Sequence, residues 1–159
     1  MIVPTPRPGD NLTSGLLYRR IPNWQGWWDP VCGLPLKQAF NPGRDQRGNK
    51  ETGISTFLVQ FTNLDEVLDG HDPAFGVVLI DIAELLHTVE TNVRPRMGGK
   101  KGVQPFGEFS IKFDPDHGEG AAKHAHCWID PVPPAVQKEI VRLTSPARVR
   151  KPCGLLRSE

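Results

Sequence analysis

Apolar and polar positions alternate most legibly late in the chain, where Phe109, Ile111 and Phe113 fall on one side of a strand and Glu108, Ser110 and Lys112 on the other. The longest apolar run, Phe75 to Ile82, is β-branched at Val77, Val78 and Ile80 and is entered past Pro73 and Gly76. It predicts a buried strand around which the core is built. Leu16 to Ile21, stopped by Pro22, predicts a first strand, with Leu17, Arg19 and Ile21 on one face and Tyr18 and Arg20 on the other. Residues 53–61 predict another, Ile54, Thr56, Leu58 and Gln60 alternating against Ser55, Phe57, Val59 and Phe61. A last strand is expected over His124 to Asp130, which would put His124, His126 and Trp128 on one face.

Helical signals are short. Thr62-Asn63 before Leu64 to Leu68 reads as an N-cap and about two turns ending at Gly70. Residues 83–87 are compatible with a helical turn whose acids sit at its positive end, and Ala135 to Leu143 with an amphipathic helix opened by Pro134. Lys37 to Phe40 reads as a short strand or turn. The expected architecture is α+β: a single domain built on a twisted, partly antiparallel, split sheet of short strands with two or three short helices. Residues 1–15 are expected to form an extended arm, 16–144 the globular domain, and 145–159 a basic, fraying tail.

Composition narrows this picture. Sixteen Gly and sixteen Pro in 159 residues argue for a loop-rich fold without long helices. With 19 basic and 18 acidic side chains the net charge is +1, so no global field favours nucleic acid or an anionic membrane. Cys32, Cys127 and Cys153 have no paired spacing, which excludes a disulfide framework or a cysteine zinc cluster and fits a reducing cytoplasm. No stretch approaches the eighteen or more apolar residues of a membrane span, and no charged leader precedes an apolar run.

Four groups of residues carry candidate chemistry. Arg19 shares a face with apolar neighbours, and a buried guanidinium needs an anion or carbonyls as partner, a ligand phosphate or a group of the fold. Trp24, Trp27 and Trp28 crowd into five residues, a cluster suited to capping a core or meeting a protein partner. The loop from Asn41 to Lys50 has Gly43 and Gly48 to turn amides inward and Arg44, Arg47 and Lys50 to supply charge for a phosphate. His124 and His126 have the alternate spacing that metals use on a strand.

The order of these features resembles the ADP-ribosyltransferase-like domains, including the RES type of bacterial toxin. The residues that carry the resemblance are Tyr18-Arg-Arg on a first strand, a polar glycine-bearing loop, Gly53-Ile-Ser-Thr-Phe-Leu on a second strand, a short helix and Val77-Val-Leu-Ile-Asp-Ile. It implies a split sheet with NAD as substrate in its cleft, Tyr18, Arg19 and Arg44 as NAD-binding residues, and Arg19, Ser55, Thr56 and Glu108 as the catalytic set. The implied activity is ADP-ribosyl transfer or NAD hydrolysis by a toxin or defence effector. Two other classes stand beside it: a non-catalytic interaction module whose Trp24, Trp27 and Trp28 surface meets a protein encoded nearby, and a metal site at His124 and His126.

Overall fold

The computed structural model describes residues 5–43, 47–71, 75–95, 108–118 and 120–152. Six strands, β1 (Leu16–Pro22), β2 (Ile54–Leu58), β3 (Phe75–Asp81), β4 (Ser110–Phe113), β5 (His126–Asp130) and β6 (Val149–Arg150), form one sheet in the order β4-β5-β2-β1-β3-β6. Every pairing is antiparallel, and the ladder runs unbroken from β4 to β6 rather than dividing into two halves. Helices α1 (Leu64–Val67), α2 (Ile82–Thr88) and α3 (Pro134–Leu143) accompany the sheet in an α+β, loop-rich fold. Among the described residues, no helix is long and apolar enough to cross a membrane.

The apolar run becomes β3 because it is covered on both faces. Val78 and Ile80 enter the main core, and Val77 enters a smaller cluster on the opposite side. Asp81, where the run breaks, caps α2: its side chain accepts a hydrogen bond from the Glu84 amide at 3.1 Å. Asn63 does the same for α1 through the Glu66 amide at 3.0 Å. α2 and α3 cover one face of the sheet, where Leu85, Val89, Val136 and Ile140 meet Leu17, Ile21, Ile54, Leu58, Ile111 and Ile129. At about 1.5–3 kcal/mol for each fully buried aliphatic side chain, this layer is the main source of stability. Among the described residues, the other face carries the smaller cluster of Phe57, Val67, Leu68, Val77, Ala122 and Ala125, and Lys112, Trp128 and Asp130 on that face lie outside it.

Several expected boundaries move. The strand read over 53–61 ends at Leu58 and turns into a 3-10 helix at Val59–Phe61. Lys37–Phe40 is a 3-10 turn that buries Ala39 and Phe40. The last strand begins at His126, because Lys123–Ala125 forms a 3-10 turn that seats Ala125 in the smaller cluster. Described residues from the expected arm and tail contact the sheet. Gly9 and Leu12 donate to Phe113 and Ile111 along the β4 edge, at 2.7 Å each. Val149 and Arg150 pair with Val78 and Val77 as β6, and Arg148 forms an ion pair with Glu84 at 2.6 Å.

Candidate functional site

Alternation along β1 and β2 sends neighbouring residues to opposite faces, and this separates the expected catalytic set. Arg19 and Thr56 lie on the helix-covered face. Thr56 is fully buried and donates to the Cys127 carbonyl at 3.3 Å. The Arg19 guanidinium donates to the Ser55 carbonyl and to the Ala39 carbonyl, both at 3.0 Å, while its buried Nε–H has no partner. Burial, with a smaller contribution from neighbouring Arg20, holds its pKa down at about 10. Arg19 thus answers the demand of a buried cation with two backbone carbonyls, one of them in the turn at Lys37–Phe40.

The Ser55 side chain points to the other face, so it cannot share a pocket with the Arg19 guanidinium. Glu108 is exposed just before β4, two strands from β2 in the sheet order. Tyr18 is half-buried and packs on the smaller cluster. Arg44 lies outside the described residues. The expected set is therefore not assembled as one site, and the reason is strand periodicity: Ser55 and Thr56 are adjacent and must diverge.

The histidine pair also separates. His124 sits in the 3-10 turn, exposed, with Nε2 2.8 Å from the Phe61 carbonyl and 3.6 Å from Glu66 Oε1. His126 opens β5 and is only 2% exposed. Among the described residues no group of three or more His, Cys, Asp or Glu side chains gathers as a metal would require. Of the tryptophans, Trp28 is a core residue whose Nε1–H donates to the Pro22 carbonyl at 2.8 Å. Trp24 is 39% exposed and stands edge-on to Trp27, with ring centroids 4.7 Å apart.

The chemistry that does converge lies on the face opposite α2 and α3. The registers Lys112↔Trp128 and Ser55↔Trp128 place a lysine, an indole and a serine in one row across β4, β5 and β2. The next row brings His126 opposite Phe57, and the His126 ring stands edge-on to Trp128 with centroids 4.9 Å apart. His126 Nδ1 lies 2.9 Å from the Asp114 carbonyl and Nε2 3.0 Å from Ser55 Oγ. A carbonyl oxygen only accepts, so Nδ1 carries the proton and Nε2 accepts the Ser55 O–H. Burial lowers the His126 pKa, which keeps the ring neutral near pH 7.

Beside this row two concavities meet. One, of about 350 Å³, is lined by Lys50, Glu51, Thr52, Gly53, Ser110, Lys112, Trp128 and Asp130. The other, of about 540 Å³, lies between the Lys37–Phe40 turn and the start of α3 and includes Lys37, Gln38, Asn41, Pro133 and Gln137. Lys50, Glu51 and Thr52 belong to both, so this short segment is the rim they share. Among the described residues neither Lys50 nor Lys112 takes part in an ion pair. Thr52 Oγ1 donates to Asp130 Oδ1 at 2.7 Å and fixes that carboxylate at the groove wall. The groove can offer a ligand the Trp128 indole, the ammonium groups of Lys37, Lys50 and Lys112, and the carboxylate of Asp130.

Sequence reasoning did not find Lys112, Trp128 and Asp130 as a group. The signal was present: on each of two strands they are the positions that alternate away from the core. Comparison with family models, with curated proteins and with solved structures returned no match to this chain.

Proposed function

We propose that this chain is an enzyme that binds NAD in the two-part groove and cleaves the bond between nicotinamide and ribose. The observation that carries the reading is Lys50 on the rim common to both concavities, with Trp128 and Lys112 side by side in one of them. A dinucleotide is two nucleosides joined by a pyrophosphate. A cation between two adjoining recesses suits the pyrophosphate, and an indole face suits one of the flat rings.

The chemistry of the groove suits the reaction as well. As the glycosidic bond breaks, its electron pair leaves with nicotinamide, which departs neutral, and positive charge develops on the ribose. A carboxylate held beside the sugar stabilises that charge without having to reorganise. Asp130, oriented by Thr52 and two residues from Trp128 on the same strand face, is the group for that role. Water or a macromolecular acceptor then takes the ribose. Arg19, which the family resemblance would place on the NAD itself, here supports the groove from behind by holding the carbonyl of Ala39, in the turn whose Lys37 and Gln38 line the larger concavity.

Release of nicotinamide from NAD by the purified chain, followed chromatographically, tests this. Asp130→Asn retains an oxygen for Thr52 but loses the charge, and it is expected to lower the rate at least tenfold while leaving the thermal midpoint close to wild type. Unchanged release in that variant would remove Asp130 from the reaction.

A second reading rests on a different observation. Trp24, Leu36 and Val31, the last 94% exposed, present apolar surface from one loop. That loop suits a protein partner, and a chain that shows no affinity for NAD would be assigned to it.

A further inference from the structure

Ser55 and His126 make a pair that cleavage of NAD does not use. The hydroxyl and the imidazole come from different strands and meet because β2 and β5 are neighbours in register, Ser55 against Trp128 and Phe57 against His126. Three features distinguish the pair from a hydroxyl that merely satisfies a buried ring. The Nδ1–H of His126 is committed to the Asp114 carbonyl, so the ring cannot adopt the other tautomer without breaking that bond, and its basic lone pair faces Ser55 Oγ at 3.0 Å. His126 is almost wholly shielded from water, whereas Ser55 is partly exposed on the face of the sheet opposite α2 and α3. The peptide of Ser55 is itself fixed, because the Arg19 guanidinium holds its carbonyl from the opposite face. A nucleophile needs an accessible hydroxyl, a base in hydrogen-bond reach and a third group that orients the base. Ser55, His126 and the Asp114 carbonyl supply these in turn.

We propose that Ser55 is a nucleophile activated by His126, acting on a carboxylic ester that reaches it from that face beside Trp128. Ser55 Oγ forms a bond to the carbonyl carbon as its proton passes to His126 Nε2. The carbon–oxygen bond to the leaving alcohol then breaks, and the imidazolium returns the proton to that alcohol. Water, deprotonated by the same nitrogen, attacks the acyl-serine, releases the carboxylic acid and restores the Ser55 hydroxyl. No redox partner or metal enters the balance. This inference shares the Trp128 surface with the NAD reading but uses neither Lys50 nor Asp130, and covalent capture at Ser55 is read separately from NAD binding.

The test is covalent capture. A fluorophosphonate would place its phosphorus on Ser55 Oγ, with loss of fluoride and transfer of the hydroxyl proton to His126. Intact-mass measurement after incubation should show one phosphonyl addition, and peptide mapping should place it on Ser55. Ser55→Ala should take up no label. His126→Asn keeps an N–H that can bond the Asp114 carbonyl but has no base, and its labelling should be at least a hundredfold slower, with added imidazole restoring part of the rate. Each variant is compared with wild type by circular dichroism and thermal midpoint, so that loss of fold is seen separately. Absence of label on folded wild type overturns the proposal, as does label on a residue other than Ser55 or equal labelling of folded His126→Asn.

Discussion

Gly76→Ala is expected to destabilise the fold by about 2–3 kcal/mol, lowering the thermal midpoint by roughly 5–10 °C. Gly76 lies on β3, where a Cβ would come within 2.4 Å of Trp28 Cζ2, 2.5 Å of Trp28 Cη2 and 2.8 Å of the Arg150 carbonyl. None of these can yield easily. Trp28 is 2% exposed and tied to the Pro22 carbonyl, and Arg150 belongs to the adjacent strand β6. The absence of a side chain at Gly76 lets the Trp28 indole approach the strand closely. The same alanine combined with Trp28→Leu should cost less than the sum of the two single changes, since the smaller side chain removes the clash with the indole and leaves only that with the Arg150 carbonyl. Thermal unfolding of the four proteins measures this. An alanine variant as stable as wild type would show that Trp28 does not occupy that position.

The second large effect concerns Arg19, where two terms oppose each other. Its two hydrogen bonds to carbonyls involve a charged donor and are worth about 1.5–3 kcal/mol each. Against them stands the cost of keeping a cation out of water with no carboxylate partner among the described residues, expressed in a pKa held down at about 10, well below that of a free guanidinium. At 1.36 kcal/mol per pKa unit that cost is about 3 kcal/mol at neutral pH. Arg19→Met removes both terms and keeps the packed stem, so it should lie within about 2 kcal/mol of wild type. Arg19→Ala also empties the space of the stem, which adds about 2–4 kcal/mol. Denaturant unfolding is therefore expected to rank wild type and Met well above Ala. A Met variant far less stable than wild type would show that the hydrogen bonds outweigh the cost of the buried charge.

How much of this was legible follows from where each signal resides. The run Phe75 to Ile82 announced β3 because its burial on both faces is written in consecutive residues, and Asp81 and Asn63 announced their helices through local capping. The burial of Arg19 followed from alternation with Leu17 and Ile21. Its partners did not, because the carbonyls of Ala39 and Ser55 are 20 and 36 residues away. The expected union of Arg19 with Ser55 failed on the same alternation that had located Arg19. His124 was assigned to the strand because the pattern from 124 to 130 is uniform. The turn at Lys123–Ala125 forms because Ala122 and Ala125 fit the small cluster under α1, a tertiary fact. β6 is two residues long, too short for any periodicity. The groove depends on pairings such as Lys112 with Trp128 and Thr52 with Asp130, which no local pattern encodes.

In the proposed function the rim at Lys50 and the face of Trp128 hold a dinucleotide. Calorimetric titration of NAD into the purified chain, alongside Lys50→Glu and Trp128→Ala, tests it most directly. Stacking on an indole is worth about 1–3 kcal/mol per base, so the tryptophan variant should bind roughly ten- to a hundredfold more weakly. Reversal of the rim charge should weaken binding at least as much, and both variants should keep the wild-type circular dichroism. Saturable one-to-one binding by wild type, lost in step in the two variants, is the predicted result. No saturable heat from wild type, or equal affinity in all three proteins, would contradict it.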